Sequence, residues 1–298
     1  IYDASEHIFA QNVQANAAPI ILEPSTVESP FAPNNTTKDY ERKDVLIVED
    51  NQELRSFIKQ SLPTWYNTIE APNGLIGLDK AQEVIPDLII CDVMMPEMDG
   101  YELCHKLKSD TLTSHIPIIM LTAKSNLDNK IMGFKQGADA YLTKPFYTEE
   151  LLVRIEKLIE LRQKLKEKFS QSDWVTNAIE VNNVSEIDKT FLKNIDHIIL
   201  SNAADYNFGV EQLAKLVHMS RSQLFRKFKS LLGKTPNIYI RECRLHMAMD
   251  LLTKNNNQPP IDNLSDQVGF KDERYFITKF KELFSMNPNE VQMRKMED

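Results

Sequence analysis

Residues 87–100 read DLIICDVMMPEMDG, an apolar run that stops at an acidic residue and continues into a loop with proline and glycine. A short uninterrupted apolar run is typical of a strand buried on both faces of a parallel sheet. Four further strand-length runs alternate with helix-length segments: VLIV at 45–48, NTIEA at 67–71, PIIML at 117–121 and AYL at 140–142. The pattern predicts a doubly wound α/β domain with a five-stranded parallel sheet, which we place at residues 43–165.

The composition is that of an ordinary globular protein with about two domains. Of the 298 residues, 42% are hydrophobic and 26% are charged. No apolar run approaches the roughly 20 residues that cross a bilayer, and three cysteines without a CxxC pair favour a reducing compartment. We therefore expect a cytoplasmic fragment, and its start at Ile1 suggests a longer parent chain.

Charge is distributed unevenly along the chain. The net charge of −8 combines about −10 in the first 185 residues with +2 in the remainder. Residues 221–254 carry eight basic side chains and two acidic ones. An acidic part and a local basic stripe indicate different partners for the two ends of the chain.

Polar side chains follow the predicted strands where each one ends. They are Glu49, Asp50, Asp92, Thr122 and Lys144. Ligands of open parallel sheets bind beyond the carboxyl ends of the strands, so we expect these groups to converge. Clustered carboxylates need a cation, and Mg²⁺ prefers oxygen ligands. A carboxylate can attack phosphorus, while Thr122 and Lys144 can stabilise the phosphoryl oxygens. Lys144 precedes a proline in AYLTKPF, where we expect a turn with a cis bond that points its ammonium at the acidic group.

The motifs VLIVEDN, DLIICDVMMPEMDG, PIIMLTAK and GADAYLTKPF, in this order, resemble the response-regulator receiver family, which has a flavodoxin-like fold. The resemblance implies that Asp92 is the phosphoacceptor and that the Glu49-Asp50 pair binds Mg²⁺ together with it. It also implies that Thr122 is the switch hydroxyl, that Lys144 pairs with the phosphate, and that the aromatic Tyr141 rotates between outward and inward positions. The fragment would phosphorylate itself on aspartate and otherwise not be an enzyme.

The last third of the chain shows helical periodicity, and we assign residues 189–298 to an all-α domain after a connector at 166–188. Within GVEQLAKLVHMSRSQLFRKFKSLLGKTP, residues 209–236, two amphipathic segments joined by a tight turn predict a helix-turn-helix unit. Leu224, Phe228 and Leu231 should be buried. The opposite face of the second helix, which can enter a major groove, carries Arg221, Ser222, Phe225, Arg226 and Lys229.

A similar unit recurs at residues 261–288, joined to the first by one long helix. Its predicted core residues are Leu264, Val268, Phe276, Phe280 and Phe284. Its predicted outward residues are Lys271, Glu273, Arg274, Thr278 and Lys281. The tandem arrangement resembles the AraC/XylS-type DNA-binding domain, which implies two recognition helices on successive stretches of major groove. Ser285 stands where that family usually has glycine, so we expect this helix to end differently from the first.

Together the two domains indicate a phosphorylation-controlled transcriptional regulator that binds promoter repeats in double-stranded DNA, as a homodimer when phosphorylated. Their order resembles the C-terminal part of hybrid two-component sensors, often linked to glycan-utilisation genes. That resemblance implies a histidine kinase domain in the same membrane-anchored parent chain. Residues 1–42 would be a linker, with the tail of that kinase at its start. The alternatives are a phosphorelay or protein-docking module without direct DNA binding and, more remotely, a metal-dependent phosphatase. The operator, the signal and the sign of regulation are not encoded in any recognisable motif.

Overall fold

A computed structural model describes residues 42–123, 137–171, 184–254 and 260–297. The expectation of a linker and kinase-domain tail at residues 1–42 therefore falls almost entirely outside the described residues. Within the described ranges, no helix combines the length and apolar character that a bilayer crossing requires.

The described part of the N-terminal domain is a five-stranded, all-parallel sheet flanked by helices. Its strands are β1 (Lys43–Val48), β2 (Tyr66–Ala71), β3 (Leu88–Asp92), β4 (Ile118–Ala123) and β5 (Ala140–Lys144), in the order β2-β1-β3-β4-β5. Its helices are α1 (Gln52–Ser61), α2 (Gly74–Val84), α3 (Gly100–Ser109) and α4 (Thr148–Gln171). The predicted doubly wound fold is confirmed.

Each face of the sheet carries its own apolar cluster because side chains alternate along a strand. Leu46 and Val48 of β1 pack with residues of α2 and α3, whereas Val45 and Ile47 pack with residues of α1 and α4. All four side chains are buried. Covering both faces fixes the strand register, and this brings the polar residues after each strand to one edge.

The C-terminal part is helical throughout its described residues. The helices are α5 (Glu186–Ser201), α6 (Val210–Leu216), α7 (Arg221–Leu232), α8 (Pro236–Lys254), α9 (Ile261–Gln267), α10 (Glu273–Phe284) and α11 (Pro288–Glu297). Helix α4 thus continues beyond residue 165, and α5 starts within the segment assigned as connector. The long helix α8 contributes Tyr239 and Cys243 to one apolar cluster, and Ala248 and Leu252 to the next, so it joins two helix-turn-helix units.

The predicted cores of both units are largely confirmed. Leu224, Phe228 and Leu231 of α7 are buried, as are Phe276 and Phe280 of α10. The helices that carry them begin at side-chain caps: the Ser220 hydroxyl accepts from the Gln223 backbone, and the Asp272 carboxylate accepts from the Tyr275 backbone. Phe284 is partly buried and packs on the same cluster.

The two recognition helices end in the same way, contrary to the expectation from Ser285. Gly233 ends α7 with φ of 71°, and its backbone N–H donates to Lys229. Ser285 ends α10 with φ of 57°, and its N–H donates to Lys281. The expectation was wrong because the packed second unit holds a serine in a left-handed conformation that glycine adopts at lower cost.

Arg244 and Gly269 connect the two units at the middle of α8. The Arg244 guanidinium donates to the carbonyls of Asp205 and Phe208, at 2.6 and 3.1 Å, in the turn that precedes α6. Gly269, with φ of 73° in the second unit, leaves no room for a Cβ, which would lie 2.1 Å from the Ala203 carbonyl oxygen and 3.1 Å from Arg244. The close approach requires glycine.

Replacing Gly269 with alanine is expected to lower the free energy of unfolding by at least about 2 kcal/mol, since both the positive φ and the Ala203 contact penalise a Cβ. Gly209→Ala is the matched control, because there φ is −141° and the nearest atom to a Cβ is 3.8 Å away. Denaturant titration followed by circular dichroism measures both. Equal losses for the two variants would contradict this account of the junction.

Candidate functional site

The polar residues at the carboxyl ends of β1, β3 and β5 meet around one ammonium group. Lys144 Nζ lies 2.8 Å from Glu49 Oε2 and 2.8 Å from Asp92 Oδ1. Both carboxylates are buried, and Glu49 is only 1% exposed. The Lys144–Pro145 peptide bond is cis, as expected at the turn after β5. The geometry joins three strand ends that are far apart in sequence.

Burial dominates the electrostatics of Glu49. Desolvation raises the pKa of this carboxyl above its ordinary value, and the hydrogen bond and charge of Lys144 counteract part of that rise. The backbone N–H of Asn51 also donates to Glu49, at 3.3 Å. A second carboxylate, Asp92, opposes ionisation of Glu49. The pocket therefore favours additional positive charge.

The donor set fits a hard divalent cation. Carboxylate oxygens of Glu49, Asp50 and Asp92 lie within 4.8 Å of one another. Glu49 and Asp92 are buried, whereas Asp50 is exposed and opens the group to solvent. All three donors are oxygens, which Mg²⁺ prefers while it retains part of its water shell.

Thr122 lies on β4, the neighbour of β3, and Tyr141 lies on β5, the strand beyond it. The register pairs Asp92 with Leu121, and Thr122 with Thr143, so Thr122 lies one residue beyond Asp92 along the sheet edge. Thr122 is buried. Tyr141 packs against the apolar cluster beneath α2 and α3 with its hydroxyl oxygen buried, and this burial raises the pKa of the phenol. The aromatic thus occupies an inward position.

The first recognition helix, α7, presents a basic polar face. We call its exposed residues the recognition face: they are Arg221, Ser222, Arg226 and Lys229. Phe225, predicted to belong to the same set, is half-buried and packs against the helical core, with the Arg221 guanidinium 5.8 Å from its ring centroid. The face is therefore a set of long cationic and small polar side chains next to one aromatic ring.

The second recognition helix, α10, and the turn before it have a mixed face. Lys271, Glu273, Arg274 and Thr278 are all exposed, as predicted, and so is Lys281. Cationic and acidic side chains alternate there, so the positive charge per turn is lower than on α7. Electrostatic attraction to a polyanion would rest mainly on the first unit.

Three charged residues that the sequence analysis did not single out are buried, two between the domains and one between the helix-turn-helix units. Lys227, within the basic stripe, forms an ion pair with Asp188, and Arg244 holds the junction between the two units. The helical period contained a signal for Lys227, because it follows Leu224 by three residues and precedes Leu231 by four. It therefore lies on the inward side of α7.

Comparison with known protein families assigns the two domains. Residues 45–156 match the response regulator receiver domain model, and residues 213–294 match a helix-turn-helix domain model. The chain is a response regulator receiver followed by an AraC-type helix-turn-helix domain. The receiver contains the acidic pocket, and the helix-turn-helix domain contains both recognition helices, so each predicted site falls in the corresponding domain.

Signalling proteins of different length are similar to all or to part of this chain. Histidine kinase P4 of Formosa agariphila is 40% identical over 99% of this chain, which spans only 21% of that relative. The DNA-binding dual master transcriptional regulator RpaA of Synechocystis is 36% identical over 43% of this chain and 54% of its own length. A response regulator from Chloroflexus aurantiacus of known structure is 36% identical, covering 40% of this chain and 99% of its own, with a TM-score of 0.39.

Replacing Lys144 with methionine is expected to lower the free energy of unfolding in metal-free buffer by about 1 to 3 kcal/mol, because the buried carboxylates of Glu49 and Asp92 lose the ammonium that pairs with both. Mg²⁺ should then raise the melting temperature of Lys144→Met more than that of the unaltered protein, since the ion no longer competes with an ammonium. Lys157→Met, at an exposed position of α4, is the control. Equal Mg²⁺-dependent shifts in all three proteins would contradict the proposed fit of the cation.

Proposed function

We propose that this chain is a DNA-binding transcriptional regulator controlled by phosphorylation of Asp92. The observation that carries the proposal is the Lys144 ammonium, placed 2.8 Å from the Asp92 carboxylate at the sheet edge of a receiver that is joined to two helix-turn-helix units. A buried carboxylate with an adjacent cation is suited to accept a phosphoryl group.

In the proposed reaction an Asp92 carboxylate oxygen attacks phosphorus and forms a new O–P bond. The bond between phosphorus and the donor's leaving atom breaks, and the leaving group keeps that electron pair. Lys144 and the Thr122 hydroxyl hold the phosphoryl oxygens. When bound, Mg²⁺ neutralises oxygen charge in the transfer, and Glu49, Asp50 and Asp92 would hold it. Tyr141 is proposed to change its packing with the phosphorylation state of the site.

Phosphorylation is proposed to promote dimerisation of the receiver and binding of promoter repeats. One helix-turn-helix domain engages one binding element, so two copies favour a duplex with two elements at fixed spacing. The recognition face of α7 supplies much of the contact, together with Phe225. The face of α10, with Lys271, Glu273, Arg274 and Thr278, supplies the rest.

The proposed phosphoryl donor inside the cell is a histidine kinase domain of the same parent chain. The 40% sequence identity between this chain and a histidine kinase, which extends over 99% of this chain, supports that arrangement. The resemblance of the domain order to hybrid sensors extends the proposal to control of glycan-utilisation genes, from a parent chain anchored in the membrane.

Asp92→Asn is expected to abolish the acid-labile phosphate adduct that acetyl phosphate and Mg²⁺ produce, because the amide is not a nucleophile for phosphorus. Intact-mass spectrometry measures the adduct. Asp79→Asn, an exposed carboxylate on α2, is the control and should label like the unaltered protein.

The same samples test dimerisation. After treatment with acetyl phosphate and Mg²⁺, sedimentation velocity should show a dimer for the unaltered protein and for Asp79→Asn. Asp92→Asn should remain monomeric after the same treatment. Undiminished labelling of Asp92→Asn would assign the phosphoryl group to another carboxylate. A phosphorylated protein that stays monomeric would refute the dimerisation step alone.

Arg226→Ala is expected to weaken binding to the operator by roughly 1 to 3 kcal/mol and to relax the preference at one base pair, if the guanidinium reads a guanine edge. If it contacts phosphate instead, binding should weaken equally on all sequences and the salt slope should fall by about one. Fluorescence anisotropy at several salt concentrations separates the two cases.

Lys157→Ala removes the same charge from the receiver and is the control for net charge. The docking alternative gives a different outcome: the unaltered protein would bind no duplex at low salt. If a folded Arg226→Ala variant kept both its affinity for the operator and its salt dependence, the proposed placement of α7 in the major groove would be wrong.

A further inference from the structure

A cluster of polar side chains is buried where the receiver meets the helix-turn-helix domain. We call it the interdomain cluster; its members are Ser114, His115, Asp188, Lys227 and Ser230. Ser114 and His115 lie in the loop between α3 and β4 of the receiver, Asp188 is on α5, and the other two are on α7. Lys227 is fully buried, with an exposure of 0%, and Asp188 and His115 are buried with it.

Every donor of the Lys227 ammonium has an acceptor. Its Nζ lies 2.5 Å from Asp188 Oδ1, 3.0 Å from His115 Nδ1 and 3.4 Å from Ser114 Oγ. Lysine has three N–H donors, so the cluster satisfies all of them. Two of the three acceptors belong to the receiver, so the charge on the recognition helix is bound across the domain boundary.

The rest of the cluster is satisfied in the same way. Asp188 accepts from the Ser114 hydroxyl at 2.8 Å and from the Ser185 hydroxyl at 2.6 Å. Since His115 Nδ1 accepts from Lys227, its Nε2 carries the proton and donates to Ser230 Oγ at 2.7 Å. A second hydrogen bond thus joins the receiver to α7.

The charge states agree with this geometry. Burial, followed by the Lys227 charge, lowers the pKa of His115 well below its ordinary value, so the ring is neutral and can accept. Burial alone would raise the pKa of Asp188, but Lys227 and the two serine hydroxyls lower it. Burial lowers the pKa of Lys227, and Asp188 offsets part of that change. A fully satisfied buried network selects one arrangement of its parts.

Apolar and long side chains extend the contact around the cluster. Met219, in the turn before α7, packs against the receiver's apolar cluster and also against the helical core. The Cβ of Lys166 on α4 is 3.6 Å from the position of a Cβ on Gly233, at the end of α7. The receiver and the continuation of its last helix, α4, therefore lie against the beginning, middle and end of the first recognition helix.

The contact leaves the recognition face of α7 open. Arg221, Ser222, Arg226 and Lys229 are exposed in the same structure in which Lys227 and Ser230 are bound to the receiver. Neighbouring residues of one helix point in different directions, so Arg226 and Lys227 serve different partners. The receiver binds the side of α7 that carries Lys227 and Ser230 and leaves the recognition face exposed.

We propose that Lys227 is a positioning residue through which the receiver fixes the orientation of the first recognition helix, and that it is not a DNA contact despite its place in the basic stripe. The inference rests on the proposed DNA-binding function for its consequence. The docking of receiver and recognition helix, in contrast, can be measured without DNA.

The first test measures the distance between the domains. Spin labels are placed by Asp79→Cys on α2 and Lys193→Cys on α5, both exposed, while the native cysteines Cys91, Cys104 and Cys243 are buried. Electron–electron double resonance should give one narrow distance distribution. Adding Lys227→Met should broaden it at least twofold, because the apolar side chain cannot bind Ser114 and His115. An unchanged narrow distribution would overturn the proposal.

A second variant covers the case in which Lys227→Met does not fold with Asp188 left unpaired. His115→Ala removes one acceptor of Lys227 and the donor to Ser230, and alters the receiver loop alone. It should broaden the same distribution, whereas His105→Ala, at an exposed position of α3, should not. If His115→Ala and His105→Ala give the same narrow distribution, the cluster does not hold the domains.

The third readout separates positioning from DNA contact. On an operator duplex, folded Lys227→Met should keep the salt slope of the unaltered protein, since a positioning residue releases no counterions. A slope lower by about one would show that Lys227 leaves the cluster and contacts phosphate, which would overturn the proposal. If the unaltered protein binds no duplex, the proposed function fails while the distance measurements still decide the docking.

Discussion

The parallel pairing of the five described strands is the constraint on which both domains depend. Because β1, β3, β4 and β5 run in the same direction, their carboxyl ends reach one edge and place Glu49 beside Asp92. Two buried carboxylates repel each other, so the edge also needs a cation. Lys144 supplies one, 2.8 Å from each carboxylate. The opposite edge of the same sheet receives the loop before β4, which meets the helix-turn-helix domain.

Strand β4 relates the two edges. The loop at its amino end carries Ser114 and His115, which bind Lys227 of α7, and its carboxyl end carries Thr122, in line with the phosphoacceptor strand. Only six residues separate His115 from Thr122. One end of β4 thus lies at the proposed phosphorylation site, and the loop at its other end binds the recognition helix. In the proposed function, phosphorylation would act on DNA binding along this strand. A receiver that covered the DNA-binding face would act differently, by blocking access to the duplex.

Much of the fold and of the acidic pocket could be predicted from the sequence, because apolar runs and the residues after them are local signals. The apolar runs end at Glu49, Asp92, Thr122 and Lys144. In a parallel sheet the ends of the strands meet at one edge, so these side chains were expected to lie there together. The helix end at Ser285 was predicted wrongly. A residue type gives the intrinsic cost of a left-handed conformation, but the packing around the second unit decides whether that cost is met.

The sequence by itself determined the doubly wound domain and the two helix-turn-helix units, and it supplied the candidate side chains of both sites, since periodicity and strand ends record burial one element at a time. Only the tertiary structure decided what the inward basic residue of α7, Lys227, is bound to. Lys227 and Arg226 are adjacent and alike in charge, yet one is fully buried against Asp188 and the other exposed. The physical reason is that a buried charge depends on acceptors from distant segments, here Ser114 and His115, and their arrival is a property of domain packing.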